Sequence, residues 1–195
     1  MSVVVVIKEK DRVYIGADSQ LNRASGKRTV LAKNNYKIWN VKGVKNCVMG
    51  HVGEVKDKCA IAVMKNLVTK KDVEKNNINY DFVVTKINKK IIKELISYQY
   101  ISSDKPYSDL SSAFVFAYKN QAYLLHCGTV IEIVDYFAFG SGEDEALGSL
   151  STTEGLPAKE RIVKAIKASS RYELYVGMPA VITDTLTQEF EVIYE

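Results

Sequence analysis

Ser2 stands directly behind Met1, at the mouth of the run Val3-Val4-Val5-Val6-Ile7. Removing Met1 would place a hydroxyl and an α-amine on one residue. An α-amine has an unperturbed pKa of about 7.7 to 8.0, against about 10.4 for a lysine. A terminal Ser therefore carries its own base near neutrality, the chemistry of an N-terminal nucleophile. Met-Ser is also a common way for any protein to begin, and the apolar run reads as a buried strand. Asp18 is the second group of interest. If strands over 3–8 and 12–19 pair about a turn centred on Lys10, opposed residues have numbers summing to 20, and Ser2 faces Asp18. A slip of one residue would move that partner. On its own, Asp18 in Ala17-Asp18-Ser19 also fits a turn at a strand end.

The elements that must position these residues alternate in type. Strand patterns fall at 3–8, 12–19, 29–33, 36–41 and 44–52. Helical period follows through Val55, Cys59, Val63 and Leu67, and a second helix spans 81–98. In the latter, Val83, Val84, Ile87, Ile91, Leu95 and Ile96 form one stripe, opposite Lys86, Lys89, Lys90 and Lys93. Residues 100–111, with Ser102, Ser103, Pro106 and Ser108, read as a loop. Strands return at 113–118, 121–127 and 130–139. Gly140-Ser141-Gly142 precedes a helix opened by Glu143, Asp144 and Glu145, where acidic residues suit the helix dipole. Another helix begins at Pro157 and runs to about 172. Strands at 178–184 and 189–194 close the chain. Helices arriving in pairs exclude a parallel doubly wound sheet. The expected fold is α+β, two antiparallel sheets sandwiched between helix layers.

With 195 residues, 47% hydrophobic and 26% charged, the chain suits one domain over 1–195. Its apolar runs are shorter than the ~18 residues of a membrane span, and no charged leader precedes the first strand, so a cytoplasmic location is expected. Cys47, Cys59 and Cys127 have no paired spacing, which argues against a disulfide framework or a zinc site and suggests small buried hydrophobes. The net charge of +4 is spread over helix faces without a basic, aromatic cluster, so neither nucleic acid nor membrane is an expected partner. No ligand cluster calls for a metal or cofactor.

Val13-Tyr14-Ile15-Gly16-Ala17-Asp18-Ser19-Gln20 resembles the second strand of proteasome β-type subunits and HslV peptidases, of the N-terminal-nucleophile (Ntn) hydrolases, and the resemblance runs over nearly the whole chain. In that family the nucleophile, Thr or Ser, precedes the Asp by sixteen positions, as Ser2 precedes Asp18. Lys37-Ile38 resembles the family's Lys followed by Ile or Leu, after a longer loop. Gly50-His51-Val52-Gly53-Glu54 resembles the Gly-x-x-Gly-acid turn between strand and first helix. Gly140-Ser141-Gly142 resembles the turn before the third helix, and Leu156-Pro157-Ala158-Lys159-Glu160 the opening of the fourth.

The resemblance implies a four-layer αββα sandwich and acyl transfer. Ser2 Oγ would attack a carbonyl while the α-amine accepts its proton. Lys37 would act by charge, fixed by Asp18, and the Gly50 N–H at the strand-to-helix turn would bind the oxyanion. Ser141 would complete the site. Glu173 and Val176 stand where proteasome subunits carry a supporting Asp and Ser; Glu173 keeps the charge, whereas Val176 has no hydrogen-bonding group. His51 reads as turn or pocket lining. The implied function is a threonine-type peptidase subunit acting on unfolded polypeptide within a homo-oligomeric ring, with an AAA+ ATPase unfoldase as possible partner. An Ntn amidase or transpeptidase on a small amide, and a non-catalytic ring or scaffold subunit, are the alternatives. Proteasome α subunits carry a helix ahead of the first strand, where this sequence has only Met1 and Ser2, which favours the catalytic branch.

Overall fold

Val3 to Ile7 are all buried, on both faces of one strand, β1 (Val3–Lys8). Successive side chains point to opposite faces of a strand. Val4 and Val6 accordingly enter one core cluster, and Val3, Val5 and Ile7 another. Cover on both faces removes the polar alternation, so the stretch reads as one apolar run. The computed structural model describes residues 2–22, 28–75 and 78–194; the expected removal of Met1 lies outside them.

β1 pairs antiparallel with β2 (Val13–Asp18), which is followed by a small ribbon of β3 (Gln20–Asn22) and β4 (Arg28–Val30). A 3-10 turn, Lys33–Asn35, leads to β5 (Ile38–Asn40) and β6 (Cys47–Val52). The first helical layer holds α1 (Val55–Val63), α2 (Lys70–Glu74), α3 (Tyr80–Phe82), a π-helical segment Val83–Asn88 and α4 (Lys89–Ser97). After α5 (Pro106–Asp109) come β7 (Ala113–Tyr118), β8 (Gln121–His126), β9 (Thr129–Ile133) and β10 (Tyr136–Gly140). The second layer is α6 (Glu143–Thr152) and α7 (Ala158–Tyr172), and the chain closes with β11 (Ala180–Asp184) and β12 (Glu191–Ile193).

One sheet has the order β10-β1-β2-β11-β12 and the other β5-β6-β7-β8-β9, with every pairing antiparallel. Ile15, Val115 and Ala117 fill the space between the sheets. Ile162, Ala165 and Ile166 of α7 pack on the outer face of the first sheet, and Phe82, Ile87 and Leu95 on the outer face of the second. The result is a four-layer αββα sandwich. β7 divides its side chains the same way, with Phe114 and Phe116 toward the helices and Val115 toward the other sheet.

Several expectations change. The first hairpin turns through Glu9 to Arg12, with the Glu9 N–H on the Arg12 carbonyl at 2.8 Å. Its centre falls between Lys10 and Asp11, and opposed residues sum to 21, as in Val4 with Ala17. Ser2 is thus one residue out of register with Asp18. The run 130–139 is two strands at the edges of different sheets, because the chain crosses between sheets at the exposed Val134. Strand character at 29–33, 36–41 and 44–52 contracts to β4, β5 and β6 around the 3-10 turn and the positive-φ residues Gly43 and Asn46. The 81–98 helix carries a π-helical stretch, the 100–111 loop holds α5, and Pro157 caps α7 from outside its first turn. Cys47 is buried, but Cys59 and Cys127 are exposed.

At Gly16 helix α7 lies close against the sheet, since a Cβ there would collide with Ile162 Cγ2. Gly16→Ala is expected to cost about 1–3 kcal/mol by overpacking. Gly148→Ala, in open space on α6, is expected to gain up to about 1 kcal/mol by helix propensity. Urea denaturation of the two variants measures both, and equal effects would show that α7 yields at Gly16.

Candidate active site

The register that separates Ser2 from Asp18 sets Asp18 against Val3, whose N–H donates to Asp18 Oδ1 at 3.0 Å. The carboxylate also accepts the Gln20 N–H at 3.1 Å, the Gly177 N–H at 3.3 Å and Lys37 Nζ at 2.6 Å. Asp18 is completely buried and Lys37 nearly so. Burial lowers the Lys37 pKa, while the charge of Asp18 and its hydrogen bond act in the opposite sense. The Lys37 carbonyl accepts the His51 N–H at 2.9 Å, which fixes this segment to β6. The ion pair thereby joins the two sheets at one end of the sandwich.

The Gly140 to Gly142 turn closes around Ser2. Ser2 N, the atom that would become the α-amine on removal of Met1, donates to Ser141 Oγ at 3.2 Å. The Gly142 N–H lies 3.5 Å from the Ser2 carbonyl oxygen. A Cβ on Gly140, at φ +113, would strike that same oxygen, so glycine permits both the turn and the contact. Behind the turn, Ser169 Oγ donates to the Gly142 carbonyl at 2.7 Å, and Val176 packs beside it, buried. Ser169 was not among the residues singled out by sequence; as one serine on an amphipathic helix it gives no signal there. The Glu173 carboxylate accepts the Tyr175 N–H at 3.0 Å, closing a turn at the end of α7. Gln20 and Asn22 then hold that loop through the carbonyls of Leu174 and Tyr175.

Gly50 requires a correction. It lies inside β6, between Ile38 and Val115, three residues before the turn. Neighbouring N–H groups of a strand point to opposite sides. Because His51 donates toward β5, the Gly50 N–H is directed to β7. A Cβ at Gly50 would meet Val115 Cγ1 at 2.8 Å and Val4 Cγ1 at 3.2 Å, so its role is close packing between the sheets. The strand-to-helix turn falls at Gly53, with φ +121, where a Cβ would lie 2.7 Å from the Ser112 backbone. Gly53 lines a cavity of about 170 Å³ together with Ser2, Lys37, His51, Glu54 and Lys58. None of the described residues accepts a hydrogen bond from the Gly53 N–H. The Gly-x-x-Gly spelling contains both glycines, and only the strand end distinguishes them.

His51 joins a buried chain. Ser112 Oγ donates to Asp57 Oδ2 at 2.7 Å, accepts the Glu54 N–H at 3.0 Å and lies 3.2 Å from His51 Nε2. A hydroxyl has a single proton, and with Asp57 taking it, Nε2 is the protonated nitrogen of His51. Burial, reinforced by the charges of Lys37 and Lys58, lowers the His51 pKa to about 3. The ring is neutral, and with serine in the middle the chain is not a nucleophilic triad. Among the described residues, no group of three or more His, Cys, Asp or Glu side chains is placed to hold a metal, and no helix is long and apolar enough to cross a membrane.

Neither family models nor curated proteins match the chain. Solved structures do. BPH of Thiobacillus denitrificans, in complex with epoxomicin, is 19% identical over 93% of this chain and 97% of that one, with a TM-score of 0.70. HslV from Trypanosoma brucei is 17% identical over 93% and 98%, with a TM-score of 0.67. Anbu from Hyphomicrobium sp. strain MC1 is 16% identical over 98% and 87%, with a TM-score of 0.71. At these identities the likeness establishes the fold, which is the proteasome-like Ntn sandwich.

The neutral, buried His51 carries a pH signature. Its folded pKa lies below the unfolded 6.5, so between the two the unfolded chain binds the extra proton and stability falls as pH drops. The loss is expected to approach about 1.4 kcal/mol per pH unit below 6.5. Urea denaturation at pH 7, 6 and 5 should show a steeper fall for wild type than for His51→Gln; parallel slopes would place His51 in contact with solvent.

Proposed function

We propose that residues 1–195 form one proteasome-like peptidase domain in which Ser2, freed by removal of Met1, cleaves peptide bonds by acyl transfer. The observation that carries this is the convergence of Ser2, the Asp18–Lys37 pair and the Gly53 turn on one cavity. Ser2 Oγ attacks the carbonyl carbon and its proton passes to the α-amine, which Ser141 Oγ orients at 3.2 Å. The Lys37 ammonium favours the neutral amine and the developing negative charge. The Gly53 N–H, in place of Gly50, stabilises the oxyanion; such a donor is worth about 2.7 to 4 kcal/mol in other hydrolases. The departing peptide nitrogen takes that proton from the α-ammonium as the scissile C–N bond breaks, and water then attacks the Ser2 ester to release the acid and restore the Ser2 hydroxyl.

Glu173 and Val176 support the corner from behind: Glu173 closes the loop that delivers the Gly177 N–H to Asp18, and Val176 fills the space beneath Gly142. The substrate is unfolded polypeptide, the setting a cytoplasmic homo-oligomeric ring, and the partner an AAA+ ATPase unfoldase. These three follow from the resemblance to proteasome-like subunits.

Intact-protein mass after incubation with an epoxyketone or β-lactone tests the mechanism. The expected species lacks Met1 and carries one probe, and Ser2→Ala takes none. Retained Met1, or labelling that persists in Ser2→Ala, would favour the non-catalytic subunit. Lys37→Ala is expected to slow labelling by about a hundredfold or more. Ser141→Ala is expected to slow it by up to about tenfold, the worth of one net hydrogen bond.

A further inference from the structure

Lys58 lies on α1 with 5% of its surface exposed, and it lines the cavity that holds Ser2. Its ammonium donates to the Asn34 carbonyl at 2.8 Å and sits 5.8 Å from the centre of the Trp39 ring. An ammonium has three donors, and among the described residues no carboxylate forms an ion pair with this one. A buried cation without a counter-charge is costly. Burial accordingly lowers the Lys58 pKa, a shift that a bound anion would oppose.

The remaining charges around the cavity leave this cation available. Lys37 is committed to Asp18 at 2.6 Å, and His51 is neutral. Glu54 is exposed at the rim, where solvent and salt screen it. The cavity, about 170 Å³, slightly exceeds the ~150 Å³ that admits a benzene ring in an engineered core. It accepts one side chain, and the side chain nearest Ser2 is that of the residue whose carbonyl is attacked.

We propose that Lys58 is a specificity-determining residue, selecting substrates with an acidic side chain, Glu or Asp, on the residue that supplies the attacked carbonyl. The proposal rests on Ser2 as nucleophile. The carboxylate takes the free donors of Lys58 and supplies the missing counter-charge, and a neutral amide of the same shape loses the charge term.

Peptidyl epoxyketones that differ only in the residue preceding the reactive group, Glu, Gln, Leu or Lys, test it through the rate of Ser2 labelling. Glu is expected to exceed Gln by about tenfold or more. Lys58→Met should bring the ratio near one, and Lys58→Glu should turn the preference toward Lys. A Glu-to-Gln ratio of one or below in wild type overturns the proposal, even where the variants fail to fold. An unchanged preference in Lys58→Met also overturns it and makes Lys58 a strut between α1 and Asn34. Labelling without acidic preference refutes this proposal alone, whereas no labelling by any probe refutes the nucleophile and the proposal together.

Discussion

The carboxylate of Asp18 is the constraint on which both sandwich and site depend. It gathers donors from β1, from β3, from the loop before β11 and from the segment leading into β5. The first sheet, the small ribbon and the second sheet therefore meet on two oxygen atoms. Burying such a charge is unfavourable unless its donors are complete and well placed, and here they are. The same requirement positions the site: the Val3 N–H fixes the residue after Ser2, and the Lys37 ammonium is held where it faces the cavity. The ion pair that joins the sheets is also the charge that the proposed mechanism uses.

What the sequence discloses follows from which signals are local. The double burial of β1, the alternation in β7 and the stripe of the 80–97 helices are periodic, so they are visible without neighbours. The offset from Ser2 to Asp18 is visible for the same reason, being a count along two adjacent strands. The register differs by one from a count about Lys10, because the turn centre depends on the bond from Glu9 to Arg12, which composition does not reveal. Val134 and Asp135 interrupt nothing in the alternation, yet the chain changes sheets there. Gly50 and Gly53 differ only in what surrounds them. One is pressed between Val4 and Val115 and the other turns against Ser112 at positive φ, and that distinction exists only in the packed structure.

The corner around Ser2 is held by an apolar floor and a polar anchor together. Gly142 has no room for a side chain, with Ser169 Cβ 2.8 Å and Val176 Cγ2 3.0 Å from where its Cβ would be. Val176 is therefore part of an apolar floor beneath the turn. Ser169 supplies the polar anchor by holding the Gly142 carbonyl. The position of Ser141 follows from α7 packing against α6 as well as from its own loop. Val176 offers no hydrogen bond, and the contact between Ser141 and Ser2 is held instead through Ser169 on α7.

The cavity has an electrostatic sense set by burial. Two lysines and a neutral histidine line it, and one of the lysines is balanced by Asp18. In the proposed mechanism a positive interior would disfavour a protonated amine at Ser2 and favour the negative charge on an attacked carbonyl. It would also repel a protonated His51, which is consistent with the direction of that residue's shift. Ser112 makes the arrangement mechanical as well as electrostatic. Its hydroxyl accepts the Glu54 N–H, beside Gly53, and donates a hydrogen bond to Asp57. A Cβ on Gly53 would collide with Ser112, so the turn can approach that anchor only as glycine. The Gly53 turn is thus held in place by a polar network buried behind it, with His51 contributing as a neutral ring against Phe114, and the proposed acyl transfer has no step in which that ring takes a proton.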